Sequence, residues 1–409
     1  MSSRRHSQLK LRPGAFLHGL PPAKLLALLY AALFLAPGVT QPFLPAWLGA
    51  RGLTDGQIGL VIATPLLMRI LATPPVTLFA ERKKSVALAL LLCSIATAAG
   101  YLTLGFGHGF GVIILLIAAI SIAQGPIQSL NDALTLRVVQ ESRRTTGPRL
   151  DYGRIRVWGS IAFVLASLMA GRLLQFIPVT GVSWMIAAGA IIGAFVTWEY
   201  SGVAPPEAVL RPARTKSQMY IGRPWLVFGI IASSAAIQAS HGLLYTFGPK
   251  HWGANGIPSQ EVGMLWALGV ITEIMMFAFG GKLIRSQWSA SILLGCGGFA
   301  ATMRWLSLAF DPSATLLIFV QAMHGLTFCA THFSTQFLLS LFVPSDLAAR
   351  VQGWYSAAVA AGLAALTALS GVLYAGLGER AYWVMALVSL SGLVGAVLVN
   401  AKLSVRTSA

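Results

Sequence analysis

The chain has 409 residues, 56% hydrophobic and only 10% charged, with a net charge of +17. A soluble globular chain carries about 25% charged residues, so most of this surface is solvated by lipid rather than water. The positive balance does not indicate nucleic acid, because the 29 Lys and Arg residues lie between apolar stretches rather than along one soluble face.

Crossing about 30 Å of hydrocarbon takes about 20 mostly apolar residues. On that criterion the sequence predicts helices over 24–46, 57–80, 85–106, 111–134, 153–176 and 182–201. A second set follows over 223–247, 260–283, 288–309, 313–339, 350–376 and 380–402. Turn signals such as Gly105-Phe106-Gly107, Ile177-Pro178 and Asp311-Pro312 fall at their ends. The first apolar run is too long for a secretory signal and is read as the first span. The expected fold is an all-α polytopic membrane protein of twelve transmembrane helices. It divides into a tail (1–23), a six-helix bundle (24–201), a Pro-rich basic linker (202–222), a second six-helix bundle (223–402) and a short tail (403–409).

Positive charge in short loops sets orientation. With twelve spans, 23 of the 29 basic residues share one side with both termini, among them Arg4, Arg5, Arg82, Lys83, Lys84, Arg143, Arg144 and Arg149. The other side holds four: Arg51, Arg172, Lys250 and Arg380. Arg69 and Arg304 lie within spans. This asymmetry places both termini in the cytoplasm of a cell whose inner membrane holds the protein, read here as a monomer. Trp47, Trp252, Trp288 and Trp383 sit near predicted helix ends, as interfacial anchors do. Cys93, Cys296 and Cys329 lie in apolar runs without metal-ligand spacing and read as small core residues.

Two motifs recur. Gly49-Ala50-Arg51-Gly52-Leu53 with Gln57-Ile58-Gly59 matches Gly253-Ala254-Asn255-Gly256-Ile257 with Glu261-Val262-Gly263, 204 positions on. Arg154-Ile155-x-x-Trp158-x-Ser160 matches Arg350-Val351-x-x-Trp354-x-Ser356, 196 positions on. Both in the same order argue for duplicated six-helix units related by a pseudo-two-fold axis along the membrane normal, with a pathway between them.

An ionisable group inside a span is costly unless paired or wetted, so each is a functional candidate. Arg69 in the second helix and Glu273 in the eighth are repeat equivalents. They are expected to face the central cavity from opposite halves, with contact between them left open, or else to form a static ion pair that locks helices. Arg304 in the ninth helix either projects toward Glu273 or snorkels outward. His324 and His332 in the tenth helix and His241 in the seventh suit proton coupling, or serve as hydrogen-bonding groups. Asp132, near the end of the fourth helix, is the repeat equivalent of His332 or a solvated end residue. Arg154 and Arg156 open the fifth helix at i, i+2, about 200° apart, so one at most lines the cavity. There is no P-loop, no metal spacing, no Gly-x-Ser-x-Gly and no cofactor motif, which leaves no enzyme signature and no ATP-driven transport.

These residues carry a resemblance. Asp151-Tyr152-Gly153-Arg154-Ile155-Arg156-x-Trp158-Gly159-Ser160 is its most specific part. Asn131-Asp132-Ala133-Leu134, Gln238-Ala239-x-His241, Leu265-Trp266-x-Leu268-Gly269-Val270-x-x-Glu273, Arg304-Trp305 and Tyr382-Trp383-Val384-Met385-Ala386-Leu387 extend it over nearly the whole chain. The chain resembles the lactose-permease-like branch of the major facilitator superfamily, and within it the 3-phenylpropionic acid transporters. The resemblance implies that Arg156 contacts substrate and that Glu273 links the site to the proton path. It also implies that Arg304 and His324 belong to the proton-coupling network. The pattern departs in two places. Lactose permeases carry a glutamate three residues after the histidine, where this chain has Thr327. The loop signature after the second helix is reduced to Ala80-Glu81-Arg82-Lys83-Lys84.

The expected function is therefore gradient-driven transport, as proton symport of a small organic anion such as an aromatic carboxylate. Arg156, Arg69, Glu273 and His241 are the expected substrate contacts. Glu273, Arg304, His324, His332 and Asp132 are the candidate proton-coupling groups. A sugar or nucleoside symporter of the same fold is the alternative, and a transport-inactive receptor or scaffold is the alternative of another class. The expected partners are the small-molecule substrate, protons and the lipid bilayer.

Overall fold

The computed structural model describes residues 16–83, 85–142, 150–203, 223–279, 283–284, 286–343 and 347–404. Arg4, Arg5, Lys84, Arg143, Arg144, Arg149 and the linker from 204 to 222 lie outside them, as do the side chains of Arg82 and Lys83. The first half comprises α1 (Pro22–Ala50), α2 (Asp55–Lys83), α3 (Val86–Leu104), α4 (Phe110–Gln124 and Ile127–Ser142), α5 (Tyr152–Leu173) and α6 (Val182–Val203). The second comprises α7 (Pro224–Ala239 and Gly242–Ala254), α8 (Ser259–Phe279), α9 (Gln287–Leu308), α10 (Ala314–Ala322 and Thr331–Phe342), α11 (Ala348–Leu377) and α12 (Tyr382–Ser404). Ten stretches of the described residues are long and apolar enough to cross a membrane. One of them, Arg350–Leu403, holds both α11 and α12, and α8 completes the twelve.

Three helices are interrupted near their middles, each for a local reason. Pro126 has no N–H to donate and breaks α4 after Gly125. In α7, Ser240 Oγ donates to Ile237 O (2.6 Å) and His241 Nδ1 lies 3.2 Å from the same carbonyl, so side chains compete with the backbone ladder. In α10 a π-helical turn spans Gly325–Ala330. The Gly325 N–H donates to Thr272 Oγ1 on α8 (3.1 Å), and a Cβ at 325 would come within 2.7 Å of Thr272 O. Only glycine lets α8 come this close. Single π turns of this kind concentrate at functional sites.

Within the first half, α1 packs on α5 and α6, α3 on α6, and α2 on α4; within the second, α9 packs on α12, α7 on α11 and α12, and α8 on α10. Between halves, α2 meets α11, α5 meets α8, and α1 meets the second piece of α7. Glycines make these seams tight on the face away from the chain ends. A Cβ at Gly171 would lie 2.6 Å from Ser259 O, and one at Gly263 2.8 Å from Ser167 O. Three polar contacts tie the same face: the Lys250–Asp55 ion pair, Arg172 Nη1 donating to Gln260 Oε1 (3.2 Å), and Ser167 Oγ donating to Gly263 O (3.4 Å). One hydrophobic core runs through both halves, whereas a second one, near the chain ends, contains first-half residues alone. The halves are thus joined on the face away from the chain ends.

The structure corrects some expectations. Trp47 and Trp252 are not interfacial anchors: they are 0% and 3% exposed, packed in the core shared by the halves. Cys93 and Cys329 are buried, but Cys296 is exposed on α9. The chain before α1 is not wholly a free tail, because the Phe16 N–H donates to Glu199 Oε2 (2.8 Å) on α6.

Candidate functional site

Polar side chains gather beside the seam in both halves. In the first half, Asp151 caps α5 by accepting the Arg154 N–H (2.8 Å). That start sets the helix phase. Arg154 is exposed, whereas Arg156 turns inward, its guanidinium carbon 4.7 Å from the Phe34 ring and 5.6 Å from the Tyr30 ring. No carboxylate among the described residues is within ion-pair distance of Arg156. Asp132 is not simply solvated: Tyr30 and Tyr152 both donate to its Oδ1, the latter at 3.1 Å. Its repeat equivalent, His332, lies 3.1 Å from Tyr355 OH through Nδ1. Gln238 and Ser234 join that tyrosine from α7.

The second half holds the denser network. Arg304 does not snorkel; it is wholly buried. Its Nη1 lies 3.0 Å from His324 Nδ1 and 3.1 Å from Thr327 Oγ1, and its Nη2 donates to Gln321 Oε1 (2.7 Å). Gln321 in turn donates to Leu265 O on α8 (3.2 Å). His324 Nε2 is 2.7 Å from Glu273 Oε1. Arg304 therefore reaches Glu273 through His324 rather than directly.

Hydrogen bookkeeping fixes the imidazole. A guanidinium only donates, so His324 Nδ1 accepts from Arg304, and Nε2 carries the hydrogen donated to the Glu273 carboxylate. A second proton on His324 would set N–H against N–H at Arg304. Glu273 keeps 24% of its side chain exposed, against 9% for His324, so the carboxylate is the more accessible member of the pair.

Arg69 and Glu273, whose contact the sequence leaves open, do not pair. Glu273 is partnered by His324, and Arg69 is exposed on α2, where its backbone packs against Gly125 of α4. Repeat symmetry equates positions along helices, not the side-chain contacts they make. The expectation that His241 touches substrate also meets an obstacle: the residue is 0% exposed, with Nε2 3.0 Å from Thr327 Oγ1. Around the network stand Tyr245, Trp266, Trp305 and Phe328, with His324 stacked on Phe328 (centroids 5.5 Å) and Tyr245 6.0 Å from Trp266. Gln321, Gln238, Tyr355 and Tyr245 are site residues that the sequence reading missed. No group of His, Cys, Asp and Glu among the described residues is arranged to hold a metal ion.

Comparisons with known proteins agree with this architecture. The model of the family described as "MFS_1 like family" matches residues 24–385. A "Probable 3-phenylpropionic acid transporter" of Escherichia coli (strain K12) is 28% identical over 369 residues, which cover 89% of this chain and 94% of that protein. A "Maltose permease" of Geobacillus stearothermophilus is 25% identical over 308 residues, 73% of this chain and 74% of that one. Among solved structures, the nucleoside transporter NupG aligns with a TM-score of 0.76 at 16% identity, covering 92% of this chain and 98% of that chain.

Proposed function

Because the chain belongs to the MFS_1-like family, and is thus a multi-pass membrane transporter of the major facilitator superfamily, we propose that it carries a small aromatic carboxylate together with a proton. The observation behind this is Arg156: a half-buried guanidinium laid beside the rings of Phe34 and Tyr30, with no acidic partner among the described residues. A carboxylate suits the guanidinium fork, and an aromatic body suits the rings. Glu273, partly exposed, lies on α8, the helix packed against α5. The name of the 28%-identical relative points to the same substrate class.

The transport cycle in this reading rocks the bundles 24–201 and 223–402 about the pathway. The state seen is closed on the face away from the chain ends, where Lys250 pairs with Asp55. Counterflow in proteoliposomes tests the substrate. Labelled 3-phenylpropionate is expected to exchange above the rate of protein-free vesicles, and uridine and maltose are expected not to. Exchange of uridine or maltose alone would move the assignment to a nucleoside or sugar carrier, and binding without any exchange would favour a receptor.

The basic-residue asymmetry supports an orientation with both termini in the cytoplasm. A cysteine introduced by His18→Cys should react with impermeant maleimide only from the cytoplasmic side, and one introduced by Asn255→Cys only from outside. Labelling of the Asn255→Cys variant from the cytoplasmic side alone would refute this orientation.

A further inference from the structure

The symport reading leaves two touching residues without a task, His241 and Thr327. His241 sits where α7 breaks, with Nδ1 3.2 Å from Ile237 O and 3.1 Å from Gln238 O. Both neighbours are carbonyls, so Nδ1 carries a hydrogen. In the neutral ring Nε2 is then an acceptor, and it takes the hydrogen of Thr327 Oγ1 at 3.0 Å. The same oxygen accepts from Arg304 Nη1 at 3.1 Å. Thr327 has another acceptor in reach, the His324 carbonyl at 3.3 Å. If Nε2 gains a proton, the bond reverses: His241 donates to Thr327 Oγ1, and the hydroxyl hydrogen swings to His324 O. Both protonation states keep their hydrogen bonds without movement of a heavy atom.

Resting on the symport reading above, we propose that His241, served by the Thr327 hydroxyl, is a second proton-holding group of this transporter. The step is a protonation: in the state of the cycle that opens this buried site to water, one N–H bond forms at Nε2 as an O–H bond of hydronium breaks and leaves water, and release is the reverse; the Thr327 O–H turns without breaking.

The surroundings tie that proton to an anion. Facing His241 are Arg304 from α9, His324 from α10 and Tyr245 on its own helix, with Glu273 of α8 beyond His324. From α11 the neighbour of this turn is Thr367, which carries no charge. A protonated His241 would share one hydroxyl oxygen with Arg304, and the two like charges repel. The repulsion is relieved when Arg304 turns toward a carboxylate. Its buried Nε has no hydrogen-bond partner in the present seat, so the guanidinium has a donor to spare. A proton on His241 and a carboxylate near Arg304 therefore favour one another, which is the linkage a symporter of an acid needs.

The test compares wild type with Thr327→Ser, Thr327→Val, His241→Gln and Glu273→Gln in proteoliposomes, using labelled 3-phenylpropionate and, in parallel, uridine. Counterflow exchange at equal pH and accumulation driven by a proton gradient are both read. Thr327→Ser keeps the hydroxyl and should behave as wild type. Thr327→Val and His241→Gln should keep exchange yet lose at least about tenfold in driven accumulation. Wild-type accumulation in both, with Glu273→Gln defective, would overturn the proposal and leave symport standing. Loss of exchange as well as accumulation in both would assign the pair to binding or folding and overturn it too. A wild-type protein that exchanges a probe but accumulates none under a proton gradient would refute the symport reading itself. A double variant, His241→Ala with Thr327→Glu, puts a titratable carboxylate beside Arg304 in the space vacated by the imidazole. It should regain accumulation relative to His241→Ala alone, which a purely structural role of His241 does not predict.

Discussion

Glu273→Gln is expected to abolish accumulation against a gradient while leaving counterflow exchange within about threefold of wild type. The glutamine keeps a carbonyl oxygen where Glu273 Oε1 now stands 2.7 Å from His324 Nε2, so the hydrogen bond to the imidazole survives. What is lost is the ability to alternate between charged and neutral forms. The variant is a permanent copy of the protonated state. Exchange needs no net proton release and should continue; uphill transport needs release on one side and should stop. His324 does not substitute for the lost carboxylate in this conformation, because its Nδ1 is engaged by the Arg304 N–H at 3.0 Å. A Glu273→Gln protein that still accumulates substrate under a proton gradient would place the carrier elsewhere.

The second large effect is expected at Arg156. Arg156→Lys keeps the charge but loses the planar fork and its stacking on Phe34. Binding of 3-phenylpropionate should weaken by about tenfold to a hundredfold, equivalent to about 1.4–2.8 kcal/mol. Arg154→Lys, two residues earlier, acts on an exposed side chain and should stay within about twofold. Equilibrium binding to the purified variants reads both. Equal tolerance at the two positions would remove Arg156 from the substrate site.

The spans were legible because crossing a bilayer imposes a length of apolar sequence that few other structures need, and because basic loops mark one side. The inward turn of one arginine at the head of α5 followed from helix geometry, and the Asp151 cap shows which one it is. Other features were written in weaker signals. The breaks at Ser240-His241 and Gly325–Ala330 arise from side chains competing with backbone and from one glycine contact with α8, neither of which alters hydrophobicity. Gln321, Gln238 and Tyr355 are uncharged polar residues within apolar runs, so charge counting passes over them, yet Gln321 connects Arg304 to α8 alongside His324. Repeat offsets located Arg69 and Glu273 at matching positions but left open whether they touch, and Glu273 is partnered by His324 instead. Glu199, inside the predicted span 182–201, carries no expectation from the sequence. It is wholly buried, and one of its oxygens holds the Phe16 N–H.

Proton movement itself tests the account most directly. Wild-type protein is reconstituted into vesicles enclosing a pH-sensitive dye, at equal pH on both sides and with the membrane potential clamped. Addition of 3-phenylpropionate should acidify the lumen faster than in protein-free vesicles, which report passive entry of the undissociated acid. The excess should vanish in Glu273→Gln. Carrier-mediated uptake of 3-phenylpropionate with no acidification beyond the protein-free rate would contradict proton symport of an aromatic carboxylate by this chain.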